Sequence, residues 1–192
     1  MALDLVAIYG SVRPERQGIK YARFLVQQLE QRGHTVTLLD PVERPLPLLE
    51  RMYKEYPSGE APEVVEEIAE VIRPADGFLI VSGEYNHGIP PALKNLLDHF
   101  LEEWFWRPSA IACYSGGSFG GVRAAMQLRA TLAELGMPSI PSLLPQPKVQ
   151  DAFAEDGTPH DEGAGKRAKR FLDEFEWHAE ALKAQRAKGT PY

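Results

Sequence analysis

The sequence predicts an α/β fold: a doubly wound, five-stranded parallel sheet with helices on both faces, carried by one domain over residues 1–192. Short apolar runs such as Phe78-Leu79-Ile80-Val81 read as strands covered on both faces. Between them lie longer stretches with apolar residues at helical spacing, and alternating strands and helices make a parallel sheet. The last run is crowded by Pro138, Pro141, Pro145 and Pro147, which suits a sheet edge and not its middle. With right-handed crossovers, these features favour the order 2-1-3-4-5 and a cleft where strands one and three diverge.

The first strand is Leu5-Val6-Ala7-Ile8-Tyr9, ending in the turn Gly10 to Gly18. A helix follows from Ile19 to Arg32, with Tyr21, Phe24, Leu25 and Leu29 on one face and Gly33 as its stop. Thr35 to Leu39 is the second strand. The long loop Asp40 to Pro62 carries Pro41, Pro45, Pro47, Pro57 and Pro62, and a loop of this length is expected to wrap near the functional site. Val64 to Ile72 is the second helix. After the strand at Phe78, the polar loop Ser82 to Gly88 restarts as a helix at Pro90-Pro91, where a missing N–H costs little. Leu93, Leu96, Leu97, Phe100, Leu101 and Trp104 form its apolar face. The aromatic run Trp104-Phe105-Trp106 needs cover, from the local core or from a second subunit.

Ser109 to Tyr114 is the fourth strand, and Ser115 to Gly121 the loop after it. Val122, Met126, Arg129, Leu132 and Leu135 belong to the next helix, ended by Gly136, and Ser139 to Leu144 is the last strand. From Gly163 a final helix places Ala168, Phe171, Leu172, Phe175, Ala179 and Leu182 on one face, and the polar tail Lys183 to Tyr192 is expected to fray.

Composition excludes several classes. A charge of −6, from 21 basic and 27 acidic residues, argues against a broad nucleic-acid footprint. The lone Cys113 sits in an apolar run, so no internal disulfide or CxxC pair exists, and a buried inert thiol is expected. No apolar stretch approaches a membrane span, and Asp4 interrupts any signal-peptide pattern, so cytoplasmic is the expected location. His34, His87, His99, His160 and His178 show no ligand spacing, so no metal site is expected. His99 and Asp98 are expected on the exposed or interface side of their helix.

Three loops converge on the cleft. In the first, Gly10 allows a sharp turn, Ser11 and Arg13 can donate to anionic oxygens, and the amides of Gly18 and Ile19 open a helix whose positive end attracts an anion. It lacks the Gly-Lys-Ser/Thr of a nucleoside-triphosphate loop, which favours a monophosphate. In the second, Tyr85 and Asn86 could cover and hydrogen-bond a flat heterocycle, although an ordinary strand-to-helix turn uses the same residues. In the third, Ser115-Gly116-Gly117 lets a backbone approach a ring edge closely.

The segment Glu84 to Phe100, EYNHGIPPALKNLLDHF, closely resembles the signature of the NADPH-dependent FMN reductase family, which usually reads PEYN, a turn, then P-x-x-L-K-N. Gly83 stands where that family has proline. The Gly10-Ser11-Val12-Arg13-Pro14 turn also resembles the family's phosphate-binding turn, so the likeness runs over most of the chain. It implies a flavodoxin-like fold and bound FMN, with Gly10, Ser11, Arg13, Gln17, Gly18 and Ile19 at the phosphate. Gly83, Glu84, Tyr85 and Asn86 would then grip the ring and ribityl chain, with Ser115, Gly116 and Gly117 against the ring edge. It further implies NADPH or NADH as electron donor, and a flavin, quinone, azo dye or oxidised metal ion as the small-molecule acceptor. No catalytic acid or nucleophile is needed, because the flavin does the redox chemistry. A homodimer or homotetramer is implied, with the Leu93–Trp106 helix near the contact.

Two further readings come from other classes. A non-catalytic electron carrier would bind FMN without a nicotinamide pocket. Gly116-Gly117-Ser118-Phe119-Gly120 fits the G-x-S-x-G nucleophile elbow of a serine hydrolase, and Asp151, Asp156, His160 and His178 follow it. Against the hydrolase stand a small sheet and the lack of an early histidine-glycine oxyanion loop. Gly163-Ala164-Gly165-Lys166-Arg167-Ala168 matches a dinucleotide fingerprint, but it follows a polar loop and not a strand, so its context fails.

Overall fold

The computed structural model describes residues 1–192. In chain order the elements are β1 (Asp4–Tyr9), α1 (Gly18–Glu30), β2 (Thr35–Leu39), α2 (Glu63–Ile72), β3 (Gly77–Ser82), α3 (Pro91–His99), β4 (Ser109–Tyr114), α4 (Val122–Glu134), β5 (Ser139–Gln146) and α5 (Ala164–Arg186). The strands pair in the order β2-β1-β3-β4-β5, all parallel, which is the flavodoxin-like order. Side chains along the central strands alternate between two cores. Leu5, Ala7, Tyr9, Leu79, Val81, Ala110 and Ala112 pack under α1 and α5. Val6, Ile8, Phe78, Ile80, Ile111 and Cys113 pack under α2, α3 and α4. Cys113 is fully buried, and burial pushes its thiol up to about 12.

Several expectations change in detail. The third helix stops at His99, because Phe100 is already extended at φ −125. Glu102–Trp104 forms a separate 3-10 turn. His99 is not exposed: it is buried, with Nδ1 2.7 Å from the carbonyl of Asn95 one turn back. Trp104 is core, packed edge-on against Phe78 and Phe100, and its indole N–H donates to the carbonyls of Leu97 and Phe100. The apolar face expected at a subunit contact is therefore spent inside the chain. On α4 the buried residues are Ala124, Ala125, Leu128 and Leu132, and Met126 is half exposed.

The prolines do mark an edge. β5 pairs only with β4, and its register slips between Ser109 and Ile111, opposite Pro141. The carbonyls freed there accept from the Arg129 guanidinium.

The tail does not fray at Lys183. Its helix continues to Arg186, and Tyr192 packs on Phe105 and Trp106, with centroids 5.6 and 4.8 Å apart. The anchor is Asp76, just before β3 and nearly buried. Its carboxylate accepts from Lys183 Nζ at 2.6 Å, from Arg186 at 3.0 Å and from the Asp4 amide at 3.1 Å. Asp76→Ala removes the acceptor for a largely buried guanidinium and a strand amide, so it should destabilise the fold by about 3 kcal/mol. Lys183→Ala, at the more exposed partner, should cost less than about 1 kcal/mol. Urea unfolding of both variants checks this ordering.

Candidate functional site

Parallel strands place their carboxyl ends on one side of the sheet, and the loops after β1, β3 and β4 meet there. They enclose an open cleft of about 260 Å³. Its wall includes Ser11, Arg13, Gln17, Gly83, Glu84, Tyr85, Ser115 and Gly116 from the sequence-derived set. Glu15, Arg16, Tyr114, Val149 and Gln150 complete it and were not foreseen. Tyr114, as the last residue of a central strand, was recoverable from the strand-end rule. Val149 and Gln150 follow β5 at long range and left no local signal.

The remaining predicted residues support the wall from behind or lie at its edge. Gly10 is buried, donates its amide to the Val81 carbonyl at 3.1 Å, and packs so closely on Leu93 that a Cβ would come within 3.0 Å. Gly18 and Ile19 are also buried. Tyr114 lies flat against Gly18, where a Cβ would sit 2.1 Å from the phenol ring, so no larger residue fits without displacing it. Asn86 and Gly117 are exposed outside the wall.

The first loop carries two arginines with different duties. Arg16 is paired with the buried carboxylate of Asp40 at the end of β2, and its guanidinium lies 5.5 Å from the centre of the Tyr9 ring. That pairing ties the loop to the sheet. Arg13 is exposed on the cleft wall and joins no ion pair. Its charge is available to an anion.

The second loop closes on itself. The amide of Tyr85 donates to Gly88 at 3.1 Å and that of Gly88 donates back at 2.9 Å, while Asn86 and His87 take φ of +50 and +67. Two central residues at positive φ make a primed turn, and asparagine tolerates that conformation better than most residues. The Asn86 position thus has a backbone reason to exist. Glu84 points away to the start of α4, where its carboxylate accepts from the amides of Arg123 at 2.9 Å and Ala124 at 3.3 Å and faces the Arg123 guanidinium at 3.3 Å. It caps a helix that has no side-chain cap of its own. Only the backbone of Glu84 is left for the cleft.

In the third loop the Ser115 hydroxyl folds inward, donating to Gly117 O at 3.1 Å and accepting from the Gly120 amide at 2.9 Å. This arches Gly116 and Gly117 over the cleft rim. A Cβ on Gly117 would meet nothing within 4 Å, and one on Gly116 only Gln150, so the space before them is open. Gly120 and Gly121 have φ of +64 and +82, and a Cβ on Gly121 would come 2.6 Å from the Tyr114 carbonyl. Backbone geometry thus accounts for Gly120, the last glycine of the elbow-like motif. Ser118 is exposed and bonds to no histidine, so the hydrolase reading fails.

At the cleft floor four hydroxyls gather. Ser11 Oγ lies 2.8 Å from Tyr85 Oη, and Tyr114 Oη donates to Tyr9 Oη at 3.1 Å. Burial pushes the pKa of both Tyr9 and Tyr114 up, so both phenols stay protonated.

Comparison with known proteins gives the same direction. Residues 3–150 match the family described as NADPH-dependent FMN reductase. An NAD(P)H-dependent FMN reductase of Schizosaccharomyces pombe is 37% identical over 101 residues, 50% of this chain and 50% of that protein, so the chain spans about half the length of that relative. A quinone reductase of Pseudomonas putida is 30% identical over 141 residues, 70% of this chain and 72% of that protein. Among solved structures, FerB, a flavoenzyme NAD(P)H:(acceptor) oxidoreductase from Paracoccus denitrificans, superposes with a TM-score of 0.73 at 25% identity, covering 92% of this chain and 99% of that one. With a sheet of flavodoxin-like order and a family match across all three cleft-forming loops, this chain belongs to the NADPH-dependent FMN reductase family.

Proposed function

We propose that this protein is an FMN-dependent NAD(P)H oxidoreductase. It takes electrons from a reduced nicotinamide and passes them to a small-molecule acceptor of the quinone, flavin, azo or metal-ion class. The observation that carries this reading is Arg13, an exposed cation without a carboxylate partner, set in the same cleft as an open glycine arch. The donor set suits a phosphate monoester at one end, and the space before Gly116 and Gly117 suits a planar ring at the other.

FMN, when bound, supplies the two-electron chemistry, so the chain needs no acid or nucleophile of its own. Arg13 and Gln17 would hold the phosphate, with Ser11 beside them. Gly10, Gly18 and Ile19 would shape the turn and present the first amides of α1 to it. The backbones of Gly83 and Glu84 and the Tyr85 ring would orient the cofactor. Ser115 would keep Gly116 and Gly117 arched, so that the ring edge approaches backbone directly. Asn86, exposed at the turn, would stand at the mouth, where substrates enter. Reduced nicotinamide and acceptor would use the same open face in turn.

The whole chain would act as one domain, in the cytoplasm. No helix is long and apolar enough to cross a membrane. Val12, Val42 and Leu48 are exposed at 50, 50 and 83% around the long loop, and we place a homodimer or homotetramer contact there, away from the buried face of α3.

The purified protein should be yellow, or should bind added FMN at one site per chain, and should oxidise NADPH or NADH with a quinone by ping-pong kinetics. A visible spectrum and steady-state rates check this, and FMN binding without nicotinamide-dependent reduction would leave an electron carrier instead. Arg13→Ala should weaken FMN about ten- to hundredfold, the value of lost charge-assisted hydrogen bonds of roughly 1.5–3 kcal/mol. Riboflavin, which lacks the phosphate, should bind the variant and wild type alike in fluorescence titrations. Light scattering at micromolar concentration should give a dimer or tetramer mass, and a monomer would refute the contact.

A further inference from the structure

Gly83 stands one residue beyond β3, is buried, and lies on the cleft wall. Its amide donates to no acceptor of the chain. A buried N–H without a partner costs free energy and is rare in folded proteins, so it calls for a cause.

The cause is the end of the ladder between β1 and β3. Along an extended strand, the backbone polar groups of successive residues face opposite neighbours. Phe78 donates to the Pro108 carbonyl at 2.9 Å, on the β4 side. Val81 accepts from the Gly10 amide at 3.1 Å, on the β1 side, and Gly83 follows Val81 by two residues. Tyr9 pairs with Val81, so the next rung would join the Gly83 amide to the Gly10 carbonyl. That rung is missing. Ser11 and Gly83, which would have faced each other across it, both line the cleft instead. The Gly83 N–H is thus left facing the gap between the first and second loops.

We propose that the Gly83 N–H is a hydrogen-bond donor to the part of the cofactor that FMN shares with riboflavin, its ring and ribityl chain. The proposal rests on the FMN reading above and adds a donor to it. The groups that suit the phosphate, Arg13 and Gln17, belong to the first loop. Gly83 opens the second loop and packs beside the Tyr114 ring, which leads into the glycine arch of the third. A proline here, usual in the family, carries no N–H. Glycine gives this chain a donor that a proline-bearing relative lacks at the same place. Gly83 is not among the glycines at positive φ, so the turn itself does not demand it. The competing account of this glycine is room for Tyr114, since a Cβ would come within 3.2 Å of that ring.

Two variants separate these accounts. Gly83→Pro removes the N–H, and the strand residue Ser82 before it suits a following proline. Gly83→Ala adds a Cβ at the same place but keeps the N–H, so it measures the crowding of Tyr114 alone.

Fluorescence-quenching titrations with FMN and with riboflavin compare them. Gly83→Pro should bind both flavins about three- to tenfold more weakly than Gly83→Ala does, the value of one hydrogen bond. Equal affinities of the two variants overturn the proposal, because crowding then explains the glycine. A loss confined to FMN also overturns it, because the donor would then serve the phosphate. Should Gly83→Pro fold poorly, amide exchange in wild type carrying isotope-labelled glycine decides the matter. The Gly83 signal, identified by its absence from Gly83→Ala, should exchange more slowly with riboflavin bound, and unchanged exchange overturns the proposal. A wild type that binds neither flavin overturns the cofactor reading itself, and this proposal with it.

Discussion

Burial of the central sheet on both faces is the constraint from which the rest follows. Every residue of β3 and β4 is buried, and β1 is buried from Leu5 onward. Polar groups pointing off the middle of such strands would lose water without gaining partners. Polar chemistry is therefore confined to the two ends of the sheet. The carboxyl ends carry the cleft, and the amino ends carry Asp76 and the cations that close α5 onto β1 and β3. One end is polar for a ligand and the other for the fold.

At the cleft end, close packing and polarity are solved together. Tyr9 and Tyr114 run beside each other with ring centres 6.2 Å apart, and their apolar bodies join the core under α1 and α5. Their hydroxyls emerge where the strands stop. Tyrosine suits this place because one side chain serves both the core and the polar floor. The space for the Tyr114 ring is made by Gly18 and Gly83, on different loops, so three segments depend on one aromatic side chain. Glu84 and Arg16 brace the surroundings, one by capping α4 and the other by tying the first loop to Asp40. The groups left unpaired in the cleft, Arg13 above all, are those that a ligand would engage.

The outer parts of the fold show the same economy. Pro141 interrupts the ladder on the edge strand, where the register slip and Arg129 absorb the loss. Asn95 donates to the Pro47 carbonyl and accepts from the Leu49 amide, so the proline-rich loop is pinned to α3 rather than left free. Tyr192 packs against Phe105 and Trp106 at the far end, while staying largely exposed itself.

Local pattern by itself determined the strands, their order and the three loops that meet at the cleft. These follow from periodicity and from glycine and proline placement, which act over a few neighbouring residues. β2 and β4 fall at the residues their apolar runs indicate, and most of the wall, from Ser11 to Gly116, was legible in loop composition. Tertiary structure alone decided what each side chain does. Glu84 turns from the cleft to the start of α4, and His99 is buried with its ring nitrogen on the Asn95 carbonyl one turn back. Val149 and Gln150 reach the cleft only through the return of the chain after β5. The hydroxyl pairs Tyr9–Tyr114 and Ser11–Tyr85 join residues 105 and 74 positions apart, and no periodicity spans such distances. Contacts between remote segments depend on how helices settle on the sheet, and that is set by packing across the whole core at once.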